Sequence, residues 1–200
     1  MGGLIIGLTG KRQVGKSVIT KYLKREHGFV SVHPFNGGKA ACRALYEHYG
    51  ASPQEAWEMT DGSLKDTPSS YLPGGVASRF FMEELGRFMG QDLGLEWTLG
   101  KEIELAMSRD PNVRIIAESI AYEEPLLRKL GGHIFEVTRS LSDPAAVTAH
   151  RTDKGVEGII PDGSFANDYE TEAEMVPELM AFLSGHGIDL DEAALAHAMA

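Results

Sequence analysis

The sequence predicts an α/β sandwich in which helices flank a mostly parallel sheet of five strands. Short apolar runs bounded by turn residues recur along the chain, and such runs are typical of strands buried on both faces of a parallel sheet. Segments with apolar residues at helical spacing lie between most of these runs. An alternation of strands and helices favours a parallel sheet with helices on its faces.

The elements follow one another in a regular order. The first apolar run, residues 4–8, is a predicted strand that leads into Thr9 and Gly10, and a helix with one apolar stripe follows over 16–26. The later predicted strands are residues 29–32, 113–117, 133–138 and 164–166. The later predicted helices are 39–49, entered through a turn at 36–38, then 77–93, 95–108, 125–130, 142–151 and a segment containing 176–183. Residues 50–75 lack periodicity and predict an irregular excursion.

Composition limits the classes of protein. The 200 residues carry a formal net charge of −10, which argues against a protein that coats nucleic acid by neutralising phosphates. The single cysteine, Cys42, leaves no internal disulfide to form, and no apolar run approaches the ~20 residues that cross a bilayer. We therefore expect a cytoplasmic protein with no membrane partner. Residues 185–200 predict an appended helix, either a homodimer contact or a frayed end.

A glycine-rich loop joins the first strand to the first helix. Its residues are Gly10, Lys11, Arg12, Gln13, Val14, Gly15, Lys16 and Ser17. They satisfy the pattern G-x-x-x-x-G-K-[ST], and the flanking strand and helix are the context that a P-loop requires. The glycines let backbone N–H groups approach phosphates, Lys16 would bridge the β- and γ-phosphates of ATP, and Ser17 would ligate Mg²⁺. The loop predicts a three-layer P-loop NTPase sandwich; the alternative is a glycine turn before a helix that starts with Lys-Ser.

Four stretches resemble the bacteriophage deoxynucleoside monophosphate kinases. They are the loop 7–16, residues 79–86, residues 130–139, and His150 followed by Asn167 and Asp168. The resemblance implies one kinase domain over 1–200, with an acceptor-side helical excursion at about 50–108 and a lid at about 139–160. It also implies a protein of the host cytoplasm, if phage-encoded.

The resemblance also implies roles for particular residues. Arg79 would lie on the acceptor side, Arg139 would be the residue at which the lid begins, and Asn167 would lie near the adenine. Arg151 is a further lid candidate, because a cation closing over the phosphates would stabilise transition-state charge. The residues expected on the acceptor side are Asn36, Lys39, Arg79, Glu83 and Gln91. Asn167 and Asp168 have a simpler alternative as a cap of the last helix.

The sequence departs from this family on the acceptor side. Asn36 stands where the family has a carboxylate, and Gln91 where an arginine is common. Glu118 replaces the acid of an Asp-x-Arg signature whose arginine is missing, and it would either take a proton from a hydroxyl or hold a magnesium-bound water. Fewer arginines weaken the grip on a phosphate dianion. Asp61 and Asp66 are expected to be solvated, and His33 to be a packed or turn-capping residue.

Three functions stay open. The first is a kinase that makes a diphosphate from ATP and a deoxynucleoside monophosphate. The second is a related phage DNA kinase that phosphorylates the hydroxymethyl group of 5-hydroxymethyluracil in DNA, during thymidine hypermodification. The third is a nucleotide-binding module without catalysis.

Overall fold

The computed structural model describes residues 3–11, 13–118, 120, 122–140 and 158–190. The chain divides into two compact units. Unit 1 comprises Met1–Val32 and Leu105–Ala200, and unit 2 comprises His33–Glu104. The described helices are α1 (Lys16–His27), α2 (Asn36–His48), α3 (Pro53–Thr60), α4 (Ser78–Phe88), α5 (Leu95–Arg109), α6 (Glu124–Lys129) and α7 (Glu172–Gly185).

Some expectations fall outside the described residues. They are the helix at 142–151, most of the lid at 139–160, and the tail at 191–200. Among the helices that are described, none has the length and apolar character needed to cross a membrane.

Unit 1 is built on a five-stranded sheet. Its strands are β1 (Ile5–Thr9), β2 (Val30–Val32), β3 (Ile115–Glu118), β4 (His133–Thr138) and β5 (Gly163–Ala166). Their order is β2-β3-β1-β4-β5, and every paired neighbour runs parallel. The structure thus confirms the predicted α/β sandwich and its mostly parallel five-stranded sheet.

Strand β1 lies at the centre of the core of unit 1, which explains its mainly apolar residues. All five residues of β1 are buried, because β3 and β4 flank it and helices cover the sheet. The buried residues of this core include Ile6, Leu8, Ile116, Phe135 and Val137 from the sheet, with Ile19, Leu23, Leu179 and Leu183 from α1 and α7. Helix α1 ends at His27 and is capped by Gly28, whose left-handed backbone (φ 67°) lets its N–H bond the carbonyl of Leu23.

The strand order reverses direction at the carboxyl end of β1. The chain leaves β1 for β2 on one side and later, after β3, crosses to β4 on the other side. In open parallel sheets, ligands bind at the carboxyl ends of the strands, at such a switch point. Here the switch point coincides with Thr9, where the glycine-rich loop begins.

Helix α2 of unit 2 begins three residues earlier than the sequence predicts. The turn predicted at 36–38 is wrong, because these residues form the first turn of α2. Gly38 is buried, and a Cβ atom there would lie 2.1 Å from Cε2 of Phe35. The glycine is therefore required by packing against the Phe35 ring rather than by a turn.

The irregular excursion predicted over 50–75 is also wrong in part. Residues Pro53–Thr60 form α3, and two short 3₁₀ helices follow at Ser63–Asp66 and Pro73–Gly75. The Ser52 hydroxyl accepts a hydrogen bond from the Glu55 N–H (3.2 Å) and caps α3. Apolar side chains of α3 then join a core of their own. That core contains Cys42, Tyr46, Ala51, Ala56, Met59, Leu72 and Met82.

Helices α4 and α5 match the two helices predicted over 77–108. Between them lies a π-helical turn, Met89–Gly94, in which Gln91 is exposed. Gly94 has φ 86°, which agrees with the break expected at this residue. Short π-helical turns occur frequently at functional sites.

Candidate active site

The glycine-rich loop wraps closely around the end of β1. Gly10 and Gly15 have positive φ angles of 123° and 96°. A Cβ atom on Gly10 would lie 2.2 Å from the Val137 carbonyl oxygen, and one on Gly15 would lie 2.0 Å from Nδ2 of Asn167. Backbone conformation and space therefore both require glycine at these two positions. Gln13 also has positive φ (64°), which is uncommon outside glycine and places local strain in the loop.

Lys16 folds back over this loop. Its ammonium group donates to the carbonyl oxygens of Gly10 (2.7 Å) and Lys11 (2.6 Å). The first turn of α1 carries no acidic residue, and its N-cap, Gly15, offers no side-chain cap. The N–H groups at this helix end and the Lys16 ammonium together make the loop electropositive, which suits an anion such as a polyphosphate.

The segment after β5 contacts both the loop and the end of β4. Asn167 is 4% exposed, and its Nδ2 donates to the Val14 carbonyl oxygen at 2.9 Å. The carboxylate of Asp168 accepts from the backbone N–H (2.6 Å) and hydroxyl (2.8 Å) of Ser140, and these bonds lower the pKa of Asp168. Arg139 donates to the Tyr169 carbonyl at 3.3 Å. The alternative role of Asn167 and Asp168 as a helix cap is wrong, since α7 is capped by Thr171.

Glu118 lies at the carboxyl end of β3, beside β1. Its Cα is paired in register with Leu8, and its side chain is half-buried. No hydrogen bond or ion pair engages its carboxylate within the described part of the chain. The Thr9 hydroxyl donates to the Ile120 carbonyl at 2.9 Å and ties the end of β1 to the segment that follows β3. A carboxylate is thus held at the switch point.

Unit 2 holds the candidates for the acceptor side, and there the cations are paired with carboxylates. The Lys39 ammonium lies 2.6 Å from one oxygen of Asp61, and Arg43 lies 3.8 Å from the other. Burial alone would raise the pKa of Asp61, but hydrogen bonds from Lys39 and Thr60 outweigh it and leave the pKa below its ordinary value. The expectation that Asp61 is solvated is therefore wrong.

Arg79 makes a two-pronged ion pair with Asp66. Its Nε donates to Oδ1, and its Nη2 donates to Oδ2 at 2.9 Å. This bond raises the pKa of Arg79, to which the nearby Glu83 adds, and lowers the pKa of Asp66. Asp66 is exposed as expected, but its carboxylate is paired with Arg79.

The remaining predicted residues of unit 2 have separate surroundings. Asn36 donates to a carboxylate oxygen of Glu102 at 3.0 Å, so this amide already has a partner. Burial, reinforced by the charge of Lys39, lowers the pKa of His33 to about 4. Its Nδ1 accepts from the Phe35 N–H at 3.1 Å, which matches the expected turn-capping histidine.

The predicted residues divide between the two units. In unit 1, Asn167 is hydrogen-bonded to the loop, Arg139 is bonded to Tyr169 two residues further on, and Glu118 lies at the carboxyl edge of the same sheet. In unit 2, sequence reasoning missed that Asp61 would join Lys39 to Arg43. Arg12 and Arg151 lie outside the described residues. No group of three or more His, Cys, Asp or Glu side chains suited to a metal occurs among the residues that are described.

Comparisons with known proteins find distant folds only. No protein-family model matches the chain, and no curated protein matches its sequence. One similar solved structure is TT1252 from Thermus thermophilus, with 13% identity, coverage of 93% of this chain and 98% of that chain, and a TM-score of 0.48. The shikimate kinase from Aquifex aeolicus has 15% identity, coverage of 92% and 98%, and a TM-score of 0.42.

The shikimate kinase from Bacteroides thetaiotaomicron has 11% identity, coverage of 90% of this chain and 97% of that chain, and a TM-score of 0.38. At these identities and TM-scores, the likeness is too distant to bring an activity or a substrate to this chain.

Proposed function

We propose that this chain is a P-loop kinase that transfers the γ-phosphoryl group of ATP to a nucleotide or to a modified base in DNA. The observation that carries the proposal is the loop itself. Two glycines are held where no side chain fits, Lys16 is folded over the loop, and α1 begins without an acidic residue or a side-chain cap. Backbone N–H groups and an ammonium are the groups that hold the β- and γ-phosphates in this class of site.

Magnesium is the expected partner of ATP at this loop. Ser17 is exposed at the start of α1 and makes no hydrogen bond among the described residues, so its hydroxyl is available as a ligand. Glu118 would hold a magnesium-bound water from the end of β3. Magnesium typically takes one or two protein oxygens and fills its other positions with water and phosphate oxygens, so these two residues fit it. When bound, the ion would neutralise charge that develops on the transferred phosphoryl group.

The first candidate acceptor is a deoxynucleoside monophosphate. An oxygen of the acceptor phosphate would form a bond to the γ-phosphorus while the bond to the β–γ bridging oxygen breaks and ADP leaves. A phosphate oxygen is already ionised, so this reaction needs no strong base. Lys39, Arg43 and Arg79 would supply the charge that binds the acceptor phosphate. The resemblance to the phage kinases, carried by the four sequence stretches, supports this candidate.

The second candidate acceptor is the hydroxymethyl group of a modified pyrimidine in DNA, and the ion pairs of unit 2 favour it. Asp61 and Asp66 already engage the three cations that a phosphate would need. Unit 2 contains six Lys and Arg residues against eleven Asp and Glu residues, a formal charge of −5. This charge opposes a phosphate dianion and the phosphates of DNA alike, so the pairing of the three cations, and not the charge of the unit, favours an uncharged hydroxyl as the acceptor group. Glu118 would take the hydroxyl proton as the oxygen attacks the γ-phosphorus.

Transfer of labelled γ-phosphate from ATP tests the proposal. The acceptors are the four deoxynucleoside monophosphates in one series and DNA with 5-hydroxymethyluracil in the other, with thymine DNA and the Lys16→Ala variant as controls. Label on a mononucleotide supports the first candidate, and label retained on the modified DNA supports the second. Label on neither, together with slow ATP hydrolysis that no acceptor stimulates, overturns the kinase and leaves a nucleotide-binding module.

A further inference from the structure

Asn167 is placed to control the phosphate loop from across the sheet. Its backbone N–H donates to the Thr138 carbonyl at 2.8 Å and extends the pairing of β5 with β4 by one bond. Its side chain is buried and donates from Nδ2 to the Val14 carbonyl at 2.9 Å, although the two residues lie 153 positions apart. The backbone of Asn167 is therefore fixed at the end of the sheet, and its side chain bonds one peptide group of the loop.

Gly15 leaves the space that this contact needs. A Cβ atom at position 15 would lie 2.0 Å from Nδ2 of Asn167, well inside van der Waals contact. The positive φ of Gly15 (96°) is likewise a conformation that other residues rarely adopt. The second glycine of the loop thus serves the Asn167 contact in addition to the approach of phosphate.

The bonded carbonyl fixes the direction of the next N–H group. In a trans peptide, the C=O and N–H groups point in opposite directions. When Asn167 holds the Val14 carbonyl on the sheet side, the Gly15 N–H must point to the other side. A flip of this peptide changes ψ of Val14 and φ of Gly15, and glycine tolerates either sign of φ. The hydrogen bond from Asn167 stabilises the orientation in which the Val14 carbonyl faces Asn167.

We propose that Asn167 is a positioning residue that sets the polarity of the phosphate loop. It keeps the Gly15 N–H directed at the phosphates and prevents the Val14 carbonyl, which would repel them, from turning inward. This inference rests on the proposed nucleotide binding. It differs from a contact with adenine, because Nδ2 serves the loop and the effect on binding does not depend on the base.

Binding of three ligands separates the two roles. Mg²⁺ complexes of ATP, GTP and inorganic tripolyphosphate, which has no base, are titrated into wild-type protein, Asn167→Ala and Asn167→Asp. We expect both variants to lose affinity by about 10- to 100-fold, because a buried carbonyl loses its donor, and by the same factor for each ligand. Asp168→Asn is the matched control, since Asp168 bonds Ser140 and not the loop, and it should bind tripolyphosphate as the wild type does.

The pH profile of Asn167→Asp supplies a readout that a merely structural role would not change. The introduced carboxyl group has the shape of the amide but can donate to Val14 only when protonated, and burial raises its pKa. Its affinity for tripolyphosphate should therefore recover as pH falls from 8 to 6, relative to the wild type, which corrects for protonation of the ligand. Circular dichroism checks the fold of each variant, and Asn167→Ser replaces any variant that unfolds.

The outcomes are distinct. A loss confined to ATP would assign Asn167 to the adenine and overturn the inference, as would unchanged affinity for all three ligands. If the wild-type protein binds none of the three, the proposed function itself fails.

Discussion

The two units of this protein treat charge in opposite ways. In unit 1, the phosphate loop presents backbone N–H groups and the Lys16 ammonium, which donates to two carbonyl oxygens of the loop. In unit 2, the cations proposed for the acceptor side are each engaged by a carboxylate. An anion that binds these cations of unit 2 must first displace Asp61 or Asp66. The N–H groups at the start of α1 have no side-chain cap, so an anion can accept hydrogen bonds from them directly.

The largest effect should come from removing the positive charge of the loop. We expect Lys16→Ala to lower phosphoryl transfer by about 10²- to 10³-fold, or roughly 3–4 kcal/mol of transition-state stabilisation, with an unchanged fold. Steady-state kinetics measures the loss. Lys21→Ala is the matched control, because Lys21 is exposed further along the same helix. Turnover retained in Lys16→Ala would remove the loop from the reaction and end the contrast between the units.

The next largest effect should be the loss of stability when a side chain is added at Gly15 of the loop. Gly15→Ala should destabilise the protein by about 2–4 kcal/mol, because it adds the strain of positive φ to an overlap with Asn167. Gly131→Ala is the control: Gly131 also has positive φ (77°), but a Cβ atom there meets nothing within 4 Å. It should cost only about 1–2 kcal/mol. Equal losses in urea unfolding would show that the overlap contributes nothing.

The same contrast explains what could be predicted from the sequence. The loop and the strands could be predicted, because glycine spacing and apolar runs are local signals contained in a short window of sequence. The bond from Asn167 to Val14 and the ion pair of Lys39 with Asp61 could not, because each joins residues brought close only by folding. Helix α3 is a different case. Ser52 followed by Pro53, with Glu55 three residues after Ser52, is a helix-start signal, and the polar, glycine-containing surroundings concealed it.

A smaller effect should come from releasing the cations of α2. Asp61→Asn leaves Lys39 and Arg43 without their carboxylate and should strengthen binding of a monophosphate acceptor by roughly 3- to 10-fold. It should also cost about 1 kcal/mol of stability, because the pair is partly buried. Asp92→Asn is the control, since Asp92 is exposed in the π-helical turn. A weaker monophosphate complex in Asp61→Asn would instead assign Asp61 to the acceptor site.

The pH dependence of stability checks the same carboxylate. The pKa of Asp61 in the folded protein lies below its ordinary value. Its contribution is therefore fully present above the ordinary pKa of about 4 and is lost as pH falls through the lower, folded value. Urea unfolding between pH 6 and 3 should show a steeper loss of stability for the wild type than for Asp61→Asn. Parallel curves would mean that the ion pair contributes nothing to folding.

The smallest effect on stability should come from the exposed pair of Arg79 with Asp66. Solvent-exposed ion pairs contribute about 0–1 kcal/mol, so Arg79→Gln should leave the melting temperature nearly unchanged. Its effect on KM then reports acceptor binding without interference from folding. If the acceptor is a monophosphate, KM for it should rise at least about 10-fold in Arg79→Gln, because a two-pronged guanidinium contact to phosphate is lost. Arg87→Gln, which removes a similar exposed pair on α4, should leave KM unchanged. An unchanged KM in both variants, with transfer to modified DNA intact, would mean that the cations of unit 2 serve its own ion pairs and that the acceptor oxygen is a hydroxyl.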